Sequence, residues 1–525
     1  MDTNRLLGYT LLFYIIFLFF QHNNKNVHTQ EKKTDDIQTH WYDMDLKHNR
    51  EFLEGKEYIL ENEELKVHFS SLGGCIKKVE LKKHKNFSGG SVILLNQDSS
   101  ILNFKICNGK QCLDTYNKIF DVSTHPEKIV FEYKYNNGDK IIQTYSFDPQ
   151  SKFSIQYSLS VSNGDIKEFN LFLDNSLLQQ ETNFKDCQLH SNITFCNKKG
   201  KVDTVVQHLE RHVEKNQLSL KWIAFKQKFF TTGLVFGNDN NTDMCLFQSS
   251  DKVLQHSKLS VNITTEKNVL VKYYFGPNEL NNLKPFTDKF ETIVYCGFPG
   301  VRVVNKYLVL PMIGFLHNKG VNVVLILLLL VLFLKLLLFP FGLHVQRMTE
   351  QLKKINHLLQ RLGEKYKDNP QQLAFEQLKL YKQYGINPFT LIIGGLIQVP
   401  FIIAVFNAVP ISMAFRGEKF LWCRDLSSYD SILNFNFSIP FYGDHISLMA
   451  LLMVVITSLY LVFDGSISRA GKNVKILMAM STIMMIFFSN RFCAALNIYY
   501  ILFSVFTICT NYFAKKLIQN NITKT

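Results

Sequence analysis

The chain has 525 residues, 46% hydrophobic and 13% aromatic, and a formal net charge of +14. Those averages suit a large soluble protein, but residues 22–300 are polar and lysine-rich while residues 320–513 hold nearly all the long apolar runs. The asymmetry excludes a single soluble globule and indicates a membrane protein with one large soluble domain. No basic stripe interleaved with aromatics forms a recognisable nucleic-acid module, so nucleic acid is excluded as a partner. The positive balance reads as membrane topology and attraction to anionic lipid.

In chain order, residues 1–21 contain the apolar run Leu6–Phe20 behind Arg5, followed by QHNNKN with no small-x-small cleavage site. This predicts an uncleaved signal anchor with its N-terminus inside. Residues 22–57 are polar and unpatterned, as a flexible tether is. Residues 58–300 alternate apolar and polar side chains in stretches such as EYILENEELKVHFS, KIVFEYKYNN and KIIQTYSFD, broken by Asn-Asn-Gly and Asp-Pro. That pattern predicts an antiparallel sandwich. Of ten cysteines, seven fall in this domain, an odd and irregular set that makes a poor disulfide framework, although Cys107 and Cys112 could bridge. His208 and His212 in HLERH have the i, i+4 spacing of ligands on a helix, but the glutamate order is not HExxH and no third ligand stands out. No metal, cofactor or catalytic motif is expected, and no enzyme activity.

Residues 301–319, interrupted by Pro311, predict a helix lying on the outer membrane surface. Residues 320–340 make the second span, and within Val323–Pro340 the sole ionisable residue is Lys335. A lysine there costs about 3 kcal/mol unless it snorkels or faces a wet cavity. Residues 341–387 carry eight Lys/Arg, with Leu343, Met348, Leu352, Ile355, Leu358, Leu359 and Leu362 at three- and four-residue steps. They predict a charged cytoplasmic helical hairpin, its second arm Gln371–Tyr384 stopped by Gly385. Arg347, Lys353, Lys354 and Arg361 are its candidate contacts. Residues 388–513 hold four further spans (Pro388–Pro410, Ile446–Phe463, Val474–Ser489 and Ala494–Phe513), and 514–525 a short basic tail. Lys/Arg then gather on one side, which places both termini in the cytoplasm.

Polar residues in the spans are the other candidates for lining a groove. Gln398, Asn407, Thr457, Asn497, Tyr500 and Ser504 join Lys335 in that set. Serine and threonine in spans commonly bond their own helix, whereas Asn, Gln and Lys point more strongly to function.

The order FLKLLLFP, charged hairpin, YKQYGINPFTLIIGGLIQVPFIIAVF, then DLSSYD after FLW, resembles the YidC family of membrane protein insertases. The segments SLGGCIKKVELKKHK, WIAFKQKFF and YYFGPNEL look like parts of that family's periplasmic domain. The resemblance implies a polytopic α-helical membrane protein of six spans, five of them an insertase core, with an antiparallel β-supersandwich periplasmic domain. It implies a bacterial inner membrane location and nascent membrane proteins as clients, with the lipid bilayer and a Sec translocon as partners. The short tail makes ribosome contact weak. The family's groove arginine maps onto Lys335, its last-span tyrosine onto Tyr500, and its polar residue one turn before the charge onto Val331. Two rivals stay open: a secondary transporter or channel for a small anionic solute, and a carbohydrate-binding domain on a membrane anchor.

Overall fold

The computed structural model describes residues 55–522, apart from 97–99, 109–110, 136–138, 163–167, 207–210, 216–218, 238–240, 250–255, 266–267, 368, 441 and 464–471. The expected anchor span Leu6–Phe20 and nearly all of the tether lie outside the described residues. The described chain divides into two compact units between Tyr295 and Cys296.

Alternating patterning builds the first unit. Asp139–Phe147 buries Ile141, Gln143 and Tyr145 on one face and leaves the intervening residues partly exposed, as a strand with one face in a core must. Among the described residues it forms sheets of four, nine and six strands. The nine-stranded sheet runs from Val202–Val206 at one edge to Asp121–Thr124 at the other. Phe104 of the six-stranded sheet stacks on Tyr157 of the nine-stranded one at 5.0 Å, so their apolar faces meet. Phe69 and Tyr145 extend this core at 4.9 Å.

The three quoted segments are fastenings of this core. Gly73 and Gly74 have φ of +83° and +58°, a region that favours glycine. A Cβ on Gly74 would also lie 2.9 Å from the Gln143 amide. Gln143 donates to the Gly73 carbonyl at 3.1 Å, and the Tyr145 hydroxyl donates to that of Gly74 at 3.0 Å. Asn278 of YYFGPNEL donates to the carbonyls of Gln227 (2.8 Å) and Lys228 (3.2 Å), clamping the turn in WIAFKQKFF. Lys228 is buried and pairs with Asp186 of α1 (Phe184–His190) at 2.5 Å. Burial works to raise the Asp186 carboxyl, but Lys228 and His190 outweigh it and hold the group below its ordinary range. Lys226 is buried without a carboxylate and donates to the His190 carbonyl at 2.8 Å; burial pushes its ammonium down to about 8.

Two motifs of the sequence can be placed in this unit. Arg211–Lys215, which contains His212, is a strand, and His208 lies outside the described residues. Cys107 is disulfide-bonded, and the strand register places Cys112 directly opposite it.

The second unit is helical. Pro299–Val304 (α2) and Leu310–Asn318 (α3) flank a π-turn, Asn305–Val309. Pro311, which cannot donate a backbone bond, stands just beyond this irregularity. Val323–Lys365 (α4) is one helix of 43 residues, about 65 Å long. Pro340 does not end it, so the second span and the first hairpin arm are a single rod. The proline forfeits one intrahelical bond, and the apolar stripe on both sides of it keeps the axis committed. Pro370–Gln383 (α5) starts where the Asn369 side chain accepts from Gln372 N and stops before Gly385, whose φ is +63°. Leu352, Ile355 and Leu359 of α4 bury against Leu380, Tyr381 and Ile386, closing the hairpin.

Pro388–Ala408 (α6), Leu448–Phe463 (α7), Lys472–Ser489 (α8) and Ala494–Ile522 (α9) complete the unit. Among the described residues, two helices are long and apolar enough to cross a membrane, Val323–Lys365 and a stretch of α9, Ala494–Ala514. The apolar stretches Leu396–Ala408, Leu448–Val462 and Met478–Ser489 are shorter.

Candidate functional site

α9 packs against both α4 and α7, and its burial changes along its length. Ala494–Tyr499 are buried, whereas most residues beyond Tyr500 are partly or fully exposed. The buried end belongs to a cluster with Val301, Val309, Val323, Ala404, Val409, Phe415, Leu426 and Met449. This end is tied by the DLSSYD segment. The backbone of Ala494 donates to the Ser428 carbonyl at 2.7 Å, and that of Ala495 to Leu426 at 2.9 Å. The Asp430 carboxylate accepts from Ser447 Oγ (2.5 Å), Met449 N (3.0 Å) and Trp422 Nε1 (2.9 Å), capping the start of α7. The bundle is thus sealed at one end and progressively open toward the other.

Lys335 lies inward of the seal. Its Nζ donates to Thr507 Oγ1 at 2.6 Å and sits 3.6 Å from the centre of the Phe503 ring. Thr507 also donates to the Phe503 carbonyl, its own helix, at 2.6 Å. One turn toward the seal, Thr457 and Ser504 hydroxyls meet at 3.3 Å; further out, Asn511 reaches the Tyr460 hydroxyl at 3.4 Å. α6, α7 and α9 contain no Asp or Glu. The ammonium is therefore held by a hydroxyl and a ring face, both neutral, and its charge stays uncancelled by these helices.

The sequence candidates divide. Thr457 and Ser504 pair within a turn of the Lys335 contact. Tyr500 lies seven residues before Thr507, two turns along the same face, and packs against Tyr499 and Phe492. Gln398 is half-buried on α6. Asn497 and Asn407 belong to the sealed end instead. Asn497 is buried and donates to the Ser489 carbonyl at 3.4 Å, about 15 Å along α9 from Thr507. Asn407 stands beside Gly297, its amide nitrogen buried without a hydrogen-bond partner. Phe503 is what sequence reasoning missed, and Thr507, a polar residue of the last span, stood outside the groove set. Thr507 looks like any span hydroxyl, and the only clue to Phe503 is its spacing of four residues from it. On the hairpin, Arg347, Lys354 and Arg361 are exposed, while Lys353 pairs with Glu350 at 2.5 Å.

Comparisons with known proteins cover both units. Residues 58–310 match the family model described as YidC periplasmic domain, and residues 315–521 the one described as 60Kd inner membrane protein. A protein of Amoebophilus asiaticus described as membrane protein insertase YidC is 27% identical, over 99% of this chain and 94% of its own length. One of Chlorobium limicola with the same description is 28% identical, over 86% of this chain and 82% of its own. A solved structure described as an active YidC insertase with its first transmembrane domain resolved is 17% identical. It covers 88% of this chain and 93% of that one, with a TM-score of 0.35.

Proposed function

We propose that this chain, which belongs to the YidC family, is a membrane protein insertase that moves nascent membrane proteins into the bacterial inner membrane, with its β unit in the periplasm. The observation that carries the mechanism is the uncancelled Lys335 ammonium in a bundle sealed at one end and open at the other. The sealed end faces the periplasm in this reading, and six spans with both termini cytoplasmic complete the topology. The β sheets form the supersandwich of the family.

A hydrophilic client segment must cross an apolar core about 30 Å thick. The partly open face around Lys335, Thr507, Thr457 and Ser504 gives it polar partners part of the way and lowers its desolvation cost. Lys335 attracts acidic residues of the segment, and apolar client spans leave sideways into lipid. A lysine acts here as a point charge and lacks the fork with which an arginine grips a carboxylate. Val331 is fully buried, so polarity around the charge comes from α7 and α9 rather than from the preceding turn of α4. The hairpin, with its exposed Arg347, Lys354 and Arg361, receives the client first. A Sec translocon is a further partner in this reading. No bond is made or broken. The small-anion transporter gains nothing from the relatives above, which are described as insertases.

The test is insertion by the purified protein in liposomes, using a single-span client with an acidic tail and scoring protease protection. Wild type protects the tail and Lys335→Glu does not. Equal protection by both reduces Lys335 to a snorkelling residue, and protection by neither removes autonomous insertion.

A further inference from the structure

Between α6 and α7 the chain forms a two-stranded hairpin, Leu433–Ile439 with Gly443–Ile446. Its exposure is unusual. The first strand is open on both faces, with Leu433 53% and Phe437 64% exposed, and the preceding Ile432 is 54% exposed. From Ser431 to Ser447 there is no Lys or Arg, and the only charged or titratable side chains besides Tyr442 are Asp444 and His445. Soluble proteins blunt open strand edges with lysine, proline or a covering element, and a lone hairpin is marginal in water.

The turn and the second strand, by contrast, are rigidly held. Asn490, just past α8, donates to the carbonyls of Tyr442 (3.1 Å) and His445 (2.7 Å) and accepts from Ser447 N (2.8 Å). His445 contacts the Asn490 carbonyl at 2.8 Å and stacks on Tyr429 at 3.6 Å. The hairpin is therefore fixed at the level where α8 ends and α7 begins.

Two observations say what covers it. On α8, Ile476, Met480, Ile483 and Phe487 are all exposed and recur at steps of four, three and four, a single apolar stripe. The Tyr442 ring meets Phe487 edge-on at 5.6 Å, so the stripe continues into the hairpin turn. At that turn the exposed Arg491 lies against Gly443, a cation of the kind that pairs with lipid phosphates. Trp422, 40% exposed and bonded to the Asp430 that also holds Ser447, adds an interfacial aromatic nearby.

We propose that the hairpin Leu433–Ile446 docks on the bilayer itself. It lies in the outer-leaflet interface, its aliphatic and aromatic side chains among the upper acyl chains and Arg491 at the phosphates. The inference rests on the membrane reading above and adds a lipid contact that braces the sealed end of the bundle.

The experiment uses the full chain in vesicles of phosphatidylethanolamine and phosphatidylglycerol, with and without acyl-brominated phospholipid. Phe437→Trp is read as the emission added over wild type, and Leu336→Trp, on the exposed face of α4, reports the membrane reading independently. Both added emissions are expected to be blue-shifted and lost in brominated vesicles. Loss at 336 with acrylamide quenching at 437 puts the hairpin in water and overturns the proposal. Loss at 336 with neither quencher acting at 437 means that protein, a second copy or a client, covers the hairpin, and overturns it too. No loss at 336 overturns both the membrane reading and the proposal. Leu433→Trp repeats the measurement if Phe437→Trp fails to fold.

Discussion

Lys335 and Thr507 are 172 residues apart in sequence and 2.6 Å apart in space, the ammonium donating to the hydroxyl above the Phe503 ring. The contact fixes one charge between two membrane-length helices without neutralising it. A carboxylate in the position of Thr507 would have closed an ion pair and left nothing for a client's acidic residues to gain.

Position and charge are separable at this contact. Thr507→Val removes a charge-assisted hydrogen bond worth about 1.5–3 kcal/mol but leaves the ammonium, so insertion of an acidic-tailed client falls only partly. Lys335→Glu reverses the charge and falls much further, while Lys335→Arg retains function. Protease protection of the client measures all three; a Thr507→Val defect as deep as Lys335→Glu would show that the placement of Nζ, and not its charge, is what matters.

The seal depends on Asp430. Asp430→Ala leaves the Ser447 hydroxyl, the Met449 amide and the Trp422 indole without their acceptor. The Ser447 hydroxyl and the Met449 amide are buried, and each such orphan costs about 1–3 kcal/mol, so the variant should unfold several degrees lower in detergent, followed by Trp422 emission. Unchanged melting would mean that water replaces the carboxylate at no loss.

Lys226 makes the β unit pH-dependent. Its folded ammonium titrates near 8 because it is buried, against about 10.4 in an unfolded chain. Between those values the unfolded state binds more protons, so stability rises with pH. The penalty is present in full below about 8 and is relieved as pH climbs toward 10, by up to about 3 kcal/mol. Lys226→Met should remove that rise. Thermal unfolding of both proteins from pH 7 to 10, monitored through the buried Trp222, makes the comparison, and parallel curves would sink the assignment.

Deleting Leu343–Tyr384 removes the hairpin whose arms close through Leu352, Ile355, Leu359 and Tyr381. The protein should still reach the membrane, because the apolar part of α4 is kept, yet insert no client. Leu359→Asp, which puts a charge into the seam, should give a milder version of the same loss. Normal insertion by the deletion variant would end the hairpin's role as the client's entry point.

The continuity of α4 through Pro340 shows where local reading stops. Proline announces a break because its ring and absent N–H act on the residues beside it; whether the helix survives depends on burial along both flanks. The β unit was better marked, since alternation such as that of Asp139–Phe147 is itself the imprint of a one-sided core. Asn407 and Asn497 carried the right chemistry for a groove and went to the sealed end, because a span's sequence says that a residue is polar but not which neighbour it turns toward.

By itself the sequence determined the two-part organisation, the class of each part, the membrane-length run around Lys335 and the amphipathic hairpin arms. Hydropathy and periodicity are local quantities, and a chain displays them before it folds. The tertiary structure alone decided that Lys335 meets Thr507 and Phe503, that Asn278 clamps the turn before Phe229, and that DLSSYD seals one end of the bundle. It also set a hairpin free of Lys and Arg beside the apolar stripe of α8. Each of these joins residues far apart along the chain, and such pairings are fixed only when the helices and sheets choose their faces in packing.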